Sequence, residues 1–346
     1  MSRIVFADTT GAYDGRTLDE RPLGGTESSV IRLARALAAR GHAVTCFTNC
    51  DAPIEHEGVS WQPVGDTPPA TCDLYVAIQH PQLLSLVPRP AKRAIWVLWR
   101  PNNLKHYKQI WRMWLYRPVP ILMSRFQQRG YSPLLPSRRS EVFIPLGLPD
   151  EARGLPPLEA PPPRRALFAS NPSRNLSPLV DIWVRRILPA VPDAILDVYG
   201  LNGLTPGQDP WQVWAGSHLP AGQPAHVKAS IRVHPPTSRD GLKHAMRTAR
   251  VIPYLGHKSE AFCLTLAEAQ ALGLPAVVSR LGSVPERVID NVTGFHRDDE
   301  AGFAEATIAL LTDDDLWRSQ HLAALQRQQG LSWADYAERF EAALLT

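Results

Sequence analysis

The chain has 346 residues, of which 20% are charged and 44% hydrophobic, and its formal net charge is +4 at pH 7. These values are typical of a globular protein with two domains. No apolar run reaches the roughly 18 residues needed to span a bilayer, and the start, MSRIVFADTTG, lacks a signal-peptide pattern, so we expect a cytoplasmic protein. The cysteines form neither a CxxC pair nor a zinc spacing, which favours reduced thiols; they are Cys46, Cys50, Cys72 and Cys263.

A strand, a helix and a second strand are predicted at the start of the chain. RIVFAD is a short apolar run, residues 28–40 carry apolar side chains at helical spacing, and HAVTCFT follows a glycine typical of a helix end. Four more apolar runs predict strands in CDLYVAIQ, RAIWVLW, VPILMS and EVFIPLG. Runs of this kind are typical of parallel strands covered on both faces.

The proline-rich stretch LPPLEAPPPRR interrupts this pattern, which then restarts. RRALFAS is a strand, residues 176–187 form a helix, and further strands are predicted in AILDVYG, SIRVHPP, ARVIPYL, LPAVVS and NVTGFH. The last segment, WADYAERFEAALLT, is an amphipathic helix. We therefore predict an α/β fold with two doubly wound domains, over residues 1–150 and 151–330, followed by a final segment over residues 331–346. The cleft between two such domains is the expected ligand site.

The segment from Leu74 to Ser140 contains twelve Lys or Arg residues and no Asp or Glu. Aromatic residues are interleaved among them: Trp96, Trp99, Tyr107, Trp111, Trp114 and Tyr116. This pattern favours a surface that meets anionic lipid head groups or an anionic acceptor. A solvated basic face, with the tryptophans in a strand or in the core, is the alternative. Nucleic acid is disfavoured as a partner, because no helix-turn-helix, RRM or finger pattern accompanies the charge.

Two glutamates flank the start of a small-residue helix in SEAFCLTLAEAQALGLPAVVS. Helix amides without an intrahelical partner suit a phosphate. We expect such amides at Phe262, Cys263, Leu264 and Thr265. Glu260 precedes the helix and Glu268 lies two turns along it, about 12 Å away at the helical rise. That distance suits a nucleotide-sugar, with one carboxylate on sugar hydroxyls and the other on ribose hydroxyls. By itself the spacing also fits a capping glutamate and a surface glutamate.

This stretch, followed by GSVPERVIDNVTGF, resembles the donor-binding half of the GT4 family of retaining GT-B glycosyltransferases. That family has two glutamates separated by seven residues, then a helix followed by glycine and proline, a glycine four residues before a glutamate (G-x-x-x-E) and a late T-G-F. The matching residues are Glu260, Glu268, Gly273, Pro275, Gly282, Glu286 and Gly294. The resemblance extends over nearly the whole chain and implies the GT-B fold, in which two Rossmann-like domains face a central cleft and the last helix returns to the N-terminal domain.

The resemblance implies a donor site in the second domain. Glu260 would orient the donor hexose and Glu268 would hold the ribose. The loop FASNPSRNLSPLVDIW matches the family's loop with a diphosphate clamp, so Ser170 and Arg174 are candidate donor ligands, and Arg174 can donate two parallel hydrogen bonds to phosphate. A second basic residue usual in the family is missing upstream of Arg174, and Lys243 or Lys258 could replace it.

In the first domain the resemblance rests on PLGGTESSVIRLARALAARGHAVT, which is similar to the family's G-G-x-E loop and helix. Gly24 and Gly25 would allow close approach of the donor, although a simple flexible turn also explains them. The family often carries a histidine after the fourth strand, where this chain has Arg100. His80, one strand earlier, is a candidate catalytic residue or a polar strand-end residue. Arg100 could stabilise the leaving phosphate or bind an acidic acceptor.

The resemblance implies transfer of a hexose from a UDP- or GDP-sugar, with retention, to a glycan or lipid-linked acceptor in cell-surface polysaccharide or glycoconjugate synthesis. Neither a cofactor nor a metal is expected, because basic side chains and helix amides would neutralise the leaving diphosphate, and Asp313 to Asp315 open a late helix. Peripheral association with the inner face of the membrane follows from the basic segment. Two other functions stay open: a non-catalytic paralogue that binds nucleotide-sugar or partners, and a nucleotide-sugar epimerase.

Overall fold

The computed structural model describes residues 1–21, 23–136, 141–200, 208–214, 219 and 222–345. The chain forms two compact units. The first unit comprises Met1–Gly147 and Leu331–Thr346, and the second comprises Leu148–Gly330. The segment from Leu331 onwards therefore belongs to the first unit, and the division after Gly147 lies three residues before the predicted boundary at residue 150.

The first unit is built on an eight-stranded sheet. Its strands are β1 (Arg3–Ala7), β2 (Ala43–Thr48), β3 (Ile54–His56), β4 (Val59–Pro63), β5 (Leu74–Ile78), β6 (Lys92–Trp96), β7 (Val119–Leu122) and β8 (Val142–Phe143). Their order is β3-β4-β2-β1-β5-β6-β7-β8, and all pairs are parallel except β3 with β4. Strand order reverses direction between β1 and β5, and open α/β sheets bind ligands at such a point, beyond the carboxyl ends of the strands.

Helices cover this sheet because their apolar side chains recur at helical spacing. They are α1 (Thr17–Glu20), α2 (Gly25–Ala39), α3 (Tyr107–Tyr116), α4 (Arg125–Gly130) and, near the end of the chain, α13 (Trp333–Leu344). Helix α13 starts with a capping box between Ser332 and Asp335. Its Phe340 ring stacks on Phe6 of β1 with 6.2 Å between ring centroids. The two-residue strands β9 (Gly147–Leu148) and β16 (Leu331–Ser332) lie where the chain passes from one unit to the other.

The second unit contains two three-stranded parallel sheets. Their strands are β10 (Arg165–Ala169), β11 (Ile195–Tyr199), β12 (Ile231–Val233), β13 (Ile252–Tyr254), β14 (Ala276–Val278) and β15 (Gly294–His296). A parallel bridge from Ala166 to Val251 joins β10 to the start of β13. The order across both sheets is therefore β12-β11-β10-β13-β14-β15, and the direction of strand order reverses between β10 and β13. This is the order of a doubly wound nucleotide-binding fold.

The helices of the second unit are α5 (Leu176–Ile182), α6 (Leu188–Ala190), α7 (Pro210–Val213), α8 (Ala225–Ser230), α9 (Arg239–Arg247), α10 (Leu264–Ala271), α11 (Glu300–Thr312) and α12 (Asp314–Arg327). The helix predicted over residues 176–187 is present, and it widens from an α-helix to a π-helical turn at Trp183–Ile187. Pro189 explains the change. It has no N–H to donate and its ring would clash with the carbonyl four residues earlier, so the turn widens before it.

A buried histidine ties helix α12 to the rest of the second unit. His321 Nδ1 lies 2.6 Å from the carbonyl oxygen of Gly273, to which it donates, and Nε2 accepts a hydrogen bond from the Leu158 N–H at 3.0 Å. Only the neutral imidazole can donate from one nitrogen and accept at the other. Burial lowers the pKa of His321, the positive charge of Arg247 adds to this effect, and the Gly273 carbonyl opposes it.

We expect the free energy of unfolding to fall as the pH is lowered through the ordinary histidine range, near about 6.5. The unfolded chain binds a proton there, whereas native His321, with its lowered pKa, does not, so acid favours unfolding until the native pKa is reached. Urea unfolding from pH 8 to pH 5 measures this slope. His321→Gln should flatten it, and His226→Gln, at an exposed position, should leave it unchanged. Equal slopes in all three proteins would contradict the assignment.

Candidate functional site

The candidate site in the second unit lies where strand order reverses. Ser170 follows β10 and Tyr254 ends β13, and the two hydroxyl oxygens are 3.4 Å apart. Because β10 and β13 are adjacent and parallel, residues after both strands meet at the carboxyl edge, where ligands bind in sheets of this kind. The structure therefore places the predicted donor ligand Ser170 at the expected edge.

Glu260 lies buried at this edge, where two groups hold its carboxylate. The Tyr254 hydroxyl donates to Oε1 at 2.6 Å, and the Arg174 Nε lies 3.2 Å from the same oxygen. Burial, followed by the neighbouring Cys263 and Glu260, raises the pKa of Tyr254 well above its ordinary value, so the hydroxyl keeps its proton and donates it. The sequence motifs named Glu260 and Arg174 separately, and the structure brings them into contact.

Arg174 connects two loops. Its Nη1 donates to the Ser259 hydroxyl at 2.6 Å and lies 3.3 Å from His257 Nδ1. The neighbouring Asn175, in the left-handed region with φ 66°, donates through Nδ2 to the Gly256 carbonyl at 2.6 Å. The loop after β10 is thus fixed to the loop after β13. Sequence analysis missed Tyr254, His257 and Ser259, since their contacts with Arg174 and Glu260 arise only when these two loops meet.

The predicted start of the small-residue helix is wrong. Helix α10 begins at Leu264, and Cys263 is its N-cap in the left-handed region with φ 64°. The amides of Leu264 and Thr265 therefore lie in the first turn, whereas those of Phe262 and Cys263 precede it. Because residues 260–263 are not helical, the separation of about 12 Å derived from helical rise does not apply to Glu260 and Glu268. Burial, and after it the Glu260 charge, raises the pKa of the Cys263 thiol to about 12.

The segment GSVPE, from Gly282 to Glu286, supports the loop that carries Glu260. Ser283 donates its N–H to the Glu260 carbonyl at 3.0 Å. Gly282 has φ +61°, and a Cβ at this position would lie 2.6 Å from the same carbonyl oxygen, so a larger residue would displace the loop. Arg287 lies over the Phe262 ring at 4.3 Å and 3.5 Å from a Glu286 carboxylate oxygen. This segment therefore supports residues 260–262 through a hydrogen bond and packing contacts.

Glu268 lies on α10 and is mostly buried. Arg239, the first residue of α9, places Nη1 at 3.5 Å from Glu268 Oε1. Sequence analysis named Lys243 and Lys258 as substitutes for the missing second clamp and did not name Arg239. Arg239 is therefore a cation beside the predicted donor ligand Glu268 that the sequence did not indicate. Nothing in the local pattern SRDGLKHAMR distinguishes it from its basic neighbours.

In the first unit, Gly24 is the N-cap of α2 and Gly25 is its first residue. Gly24 has an ordinary extended conformation, with φ −64° and ψ 164°. A Cβ at Gly24 would lie 2.5 Å from Glu27 Oε2, so the glycine makes room for a carboxylate of its own helix. The predicted approach of a donor to these glycines stays a prediction.

His80 and Arg100 lie at one edge of the first sheet, because they follow the adjacent parallel strands β5 and β6. The His80 ring meets the Trp99 ring edge to face, with 5.7 Å between centroids. The Arg100 guanidinium lies 5.7 Å from the centroid of Phe126. Strand β6 ends at Trp96, so the prediction that Trp99 lies within this strand is wrong.

The tryptophans of the acid-free segment divide into buried and exposed residues. Trp96 is fully buried in the first unit, whereas the side chains of Trp111 and Trp114 on α3 are each 50% exposed. Two exposed leucines lie next to Trp114. Leu115 follows it in the chain, and the Leu134 carbonyl accepts a hydrogen bond from the Trp114 Nε1 at 3.0 Å. We call these four exposed residues, Trp111, Trp114, Leu115 and Leu134, the α3 patch. Residues 137–140 of the segment lie outside the described residues.

Two properties of the described residues bear on metals and membranes. Within these ranges, no group of three or more His, Cys, Asp or Glu side chains is arranged to hold a metal ion. Asp313, from the acidic run that opens α12, accepts a hydrogen bond from the Leu316 N–H and caps that helix, as predicted. None of the described helices combines the length and apolarity that crossing a bilayer requires. Activity without a metal stays a prediction.

Solved structures of glycosyltransferases share this fold over the whole chain. HepE from Anabaena, solved with UDP-glucose, superposes with a TM-score of 0.71 over 100% of both chains at 14% identity. Sucrose-phosphate synthase from Thermosynechococcus elongatus gives 0.70 over 99% of this chain and 98% of that chain at 15% identity. WaaG, which takes part in lipopolysaccharide biosynthesis, gives 0.69 over 99% of both chains at 14% identity. The predicted GT-B fold is thereby confirmed.

A family match lies within the second unit. Residues 223–327 match the family described as glycosyl transferases group 1, which confirms the predicted resemblance and assigns this segment to that family. The D-inositol 3-phosphate glycosyltransferase of Thermobifida fusca (strain YX) is 31% identical over 208 residues, which cover 57% of this chain and 43% of the relative. That of Xylanimonas cellulosilytica is 39% identical over 100 residues, which cover 28% of this chain and 23% of the relative. The matched part spans less than half of each relative.

Proposed function

We propose that this chain is a retaining glycosyltransferase that moves a hexose from a UDP- or GDP-sugar to a glycan or lipid-linked acceptor. The observation that carries the proposal is the contact of Glu260 with Arg174 and Tyr254 at the carboxyl edge of the second sheet. The site joins a carboxylate suited to sugar hydroxyls to a guanidinium suited to phosphate, on a fold that binds nucleotides. Glu260 lies within the segment assigned to the group 1 family.

The proposed reaction breaks the bond between the anomeric carbon and the phosphate oxygen and forms a bond from the same carbon to the acceptor oxygen on the same face. The acceptor proton passes to the departing phosphate oxygen. Arg174 and the amides of Leu264 and Thr265 would stabilise the charge that develops on the diphosphate. These groups could balance that charge without a metal, so we expect activity in the presence of a chelator.

The two oxygens of Glu260 would have different tasks. Oε1 receives the Tyr254 hydroxyl and faces Arg174, which fixes the carboxylate in place. Oε2 would accept from hydroxyls of the donor hexose. This arrangement keeps the ligand fixed before the substrate arrives, and such preorganisation lowers the cost of binding. His80 and Arg100 remain candidates for contacts near the anomeric carbon and the acceptor.

A panel of nucleotide-sugars in a thermal unfolding assay tests donor binding. The panel contains UDP-glucose, UDP-galactose, UDP-N-acetylglucosamine, GDP-mannose and GDP-glucose. A donor at 100 times its dissociation constant should stabilise the native protein by about 2.7 kcal/mol. We expect one nucleotide to shift the unfolding temperature more than the others. An unchanged unfolding temperature with every nucleotide-sugar at saturating concentration would contradict the proposal.

The non-catalytic paralogue is the second candidate, because Arg100 stands where the family often has a histidine. Both candidates predict donor binding, and an epimerase would convert the donor without releasing nucleoside diphosphate. Slow donor hydrolysis distinguishes the transferase from the other two. A transferase without its acceptor should still release some nucleoside diphosphate, and a binding protein should release none.

Glu268→Ala is expected to weaken donor binding more than it lowers turnover. The residue would accept hydrogen bonds from ribose hydroxyls, and the loss of a charged hydrogen-bond partner costs about 1.5–3 kcal/mol. The Arg239 ion pair would hold this carboxylate in orientation, so Arg239→Ala should weaken the same step to a smaller degree. Calorimetric titration with the donor identified by the panel measures both effects. Donor affinity equal to wild type in Glu268→Ala would contradict the ribose assignment.

We also propose that the α3 patch binds an anionic membrane on the cytoplasmic side. Tryptophan and leucine suit the interface between water and lipid, and exposed Lys105, Lys108 and Arg117 lie next to the patch or on α3 itself. Each basic residue near an anionic surface contributes about 1 kcal/mol. A membrane-bound enzyme would meet a lipid-linked acceptor directly.

The α3 patch should retain the protein on anionic vesicles at low salt. Co-sedimentation with phosphatidylglycerol vesicles measures this, with phosphatidylcholine vesicles as the neutral comparison. The bound fraction should fall at high salt, since the Debye length decreases from about 10 Å at 0.1 M to about 3 Å at 1 M. Trp111→Ser with Trp114→Ser should abolish most of it, and Leu281→Ser, an exposed leucine of the second unit, should not. Equal binding to both lipids would remove the membrane proposal.

A further inference from the structure

Trp99 is exposed, yet its backbone is fixed by two buried glutamines. Its side chain is 42% exposed. Its N–H donates to Gln79 Oε1 at 2.9 Å, and its carbonyl accepts from Gln127 Nε2 at 2.7 Å. Gln79 and Gln127 are almost completely buried in the first unit. An exposed loop residue normally has water as its backbone partner, so this arrangement requires a reason beyond loop stability.

The two glutamines hold this loop at a conformational cost. Gln79 has φ +58°, a left-handed conformation that is unfavourable for any residue with a Cβ atom. Gln127 also donates to the Val97 carbonyl at 2.7 Å and accepts from the Met123 N–H at 2.8 Å. Its side-chain amide therefore connects the backbone after β6 to the backbone after β7. The consequence is a partly exposed tryptophan side chain on a backbone that buried amides hold on both sides.

The position of this ring is that of a ligand-binding residue. Trp99 and His80 follow the adjacent strands β6 and β5 and lie at the carboxyl edge of the parallel sheet. The rings of His80 and Trp99 meet at 5.7 Å with an angle of 87° between their planes. A half-buried imidazole therefore stands beside an exposed indole, which places hydrogen-bonding nitrogens next to an apolar face.

We propose that Trp99 and His80 form a subsite for a pyranose ring of the acceptor. The C–H face of a pyranose is apolar and flat, so it packs against the indole, while its hydroxyls lie at the ring edge within reach of the imidazole. The subsite rests on the proposed transferase function and assigns its acceptor to the glycans. It is separate from the α3 patch, whose tryptophans lie on the surface of a helix rather than at the end of a strand.

Saturation-transfer NMR on the full-length protein tests the subsite with methyl β-D-glucopyranoside and maltotriose as probes. We expect transfer to the sugar C–H protons in the wild type and its loss in Trp99→Ala. Trp99→Phe should retain part of the signal, because an aromatic face remains. Trp114→Ala is the matched control, since it removes a tryptophan of comparable exposure from α3 and should leave the signal intact. His80→Ala should weaken binding by about tenfold, the effect of one hydrogen bond.

Saturation-transfer signals of equal strength in wild type and in a folded Trp99→Ala protein would overturn the subsite. A wild type that shows transfer to neither sugar would also overturn it. Transfer to uridine but not to the sugars would assign Trp99 to a nucleoside instead and would equally overturn it. Donor hydrolysis in the absence of acceptor separates this result from the proposed function. A wild type without hydrolysis would refute the transferase and leave the sugar-binding result standing.

Discussion

Arg174→Ala is expected to lower turnover by about 10²–10³-fold, the effect of removing one preorganised donor from a developing negative charge. The substitution removes the guanidinium that contacts Glu260 and that would face the leaving diphosphate. It also releases Ser259 and frees the loop after β13. Steady-state kinetics of donor hydrolysis and transfer measure the effect. Arg186→Ala, which removes an exposed arginine of the same unit, should retain full activity.

Arg174→Lys should recover only part of the lost rate. Lysine keeps the positive charge but cannot donate through the planar fork that reaches Glu260 from Nε and Ser259 from Nη1. A lysine variant as active as wild type would show that charge alone is required. Wild-type activity in Arg174→Ala would move the clamp to another residue, for which Arg239 is the first candidate because of its contact with Glu268.

Glu260→Ala is expected to lower kcat by about tenfold to a hundredfold, which corresponds to about 1.5–3 kcal/mol for a lost charged hydrogen bond. The donor KM should change less, because the ribose and diphosphate contacts remain. The kcat of Glu260→Gln should lie between those of the wild type and Glu260→Ala. The glutamine amide oxygen can still accept from Tyr254, but the charge opposite Arg174 is lost. Glu305→Ala, at an exposed position on α11, is the control.

The two substitutions should not be additive. Glu260 and Arg174 are in direct contact, and residues in contact usually show interaction energies of about 0.5–3 kcal/mol in double-mutant cycles. Glu260→Ala combined with Arg174→Ala should therefore lose less than the product of the single losses. Strict additivity, or an effect of Glu260→Ala on donor affinity alone, would contradict the proposed role of this pair.

The parallel strands and the fold were predictable because buried strands leave near-continuous apolar runs. LYVAI and RALFA illustrate this, as does the helical spacing of α2. The antiparallel pair β3 and β4 was missed. These strands are short, and the turn between them uses Glu57 and Gly58 with φ of 48° and 73°. A glutamate in that conformation gives no turn signal, because Asn or Asp before glycine is the usual pattern.

The candidate donor residues were predictable as a set, whereas their contacts were not. The motif places Glu260 before a helix, but the left-handed Cys263 delays the start of that helix to Leu264. Tyr254 ends a strand as an apparently apolar residue, and only the fold brings its hydroxyl to Glu260. Trp99 looked like a strand residue because RAIWVLW is apolar throughout, yet the strand ends at Trp96. Contacts between loops of different strands leave no local trace in a sequence.

The most direct test of the central claim is phosphorus-31 NMR of the wild-type protein incubated with each nucleotide-sugar of the panel. We predict that the diphosphate signals of one donor decrease and those of the free nucleoside diphosphate increase. This conversion should occur in the absence of acceptor, and it should also occur when a chelator is present. Glu260→Ala and Arg174→Ala should abolish most of this conversion. Unchanged donor signals with every nucleotide-sugar, in the presence and absence of divalent metal and of glycan, would contradict the account.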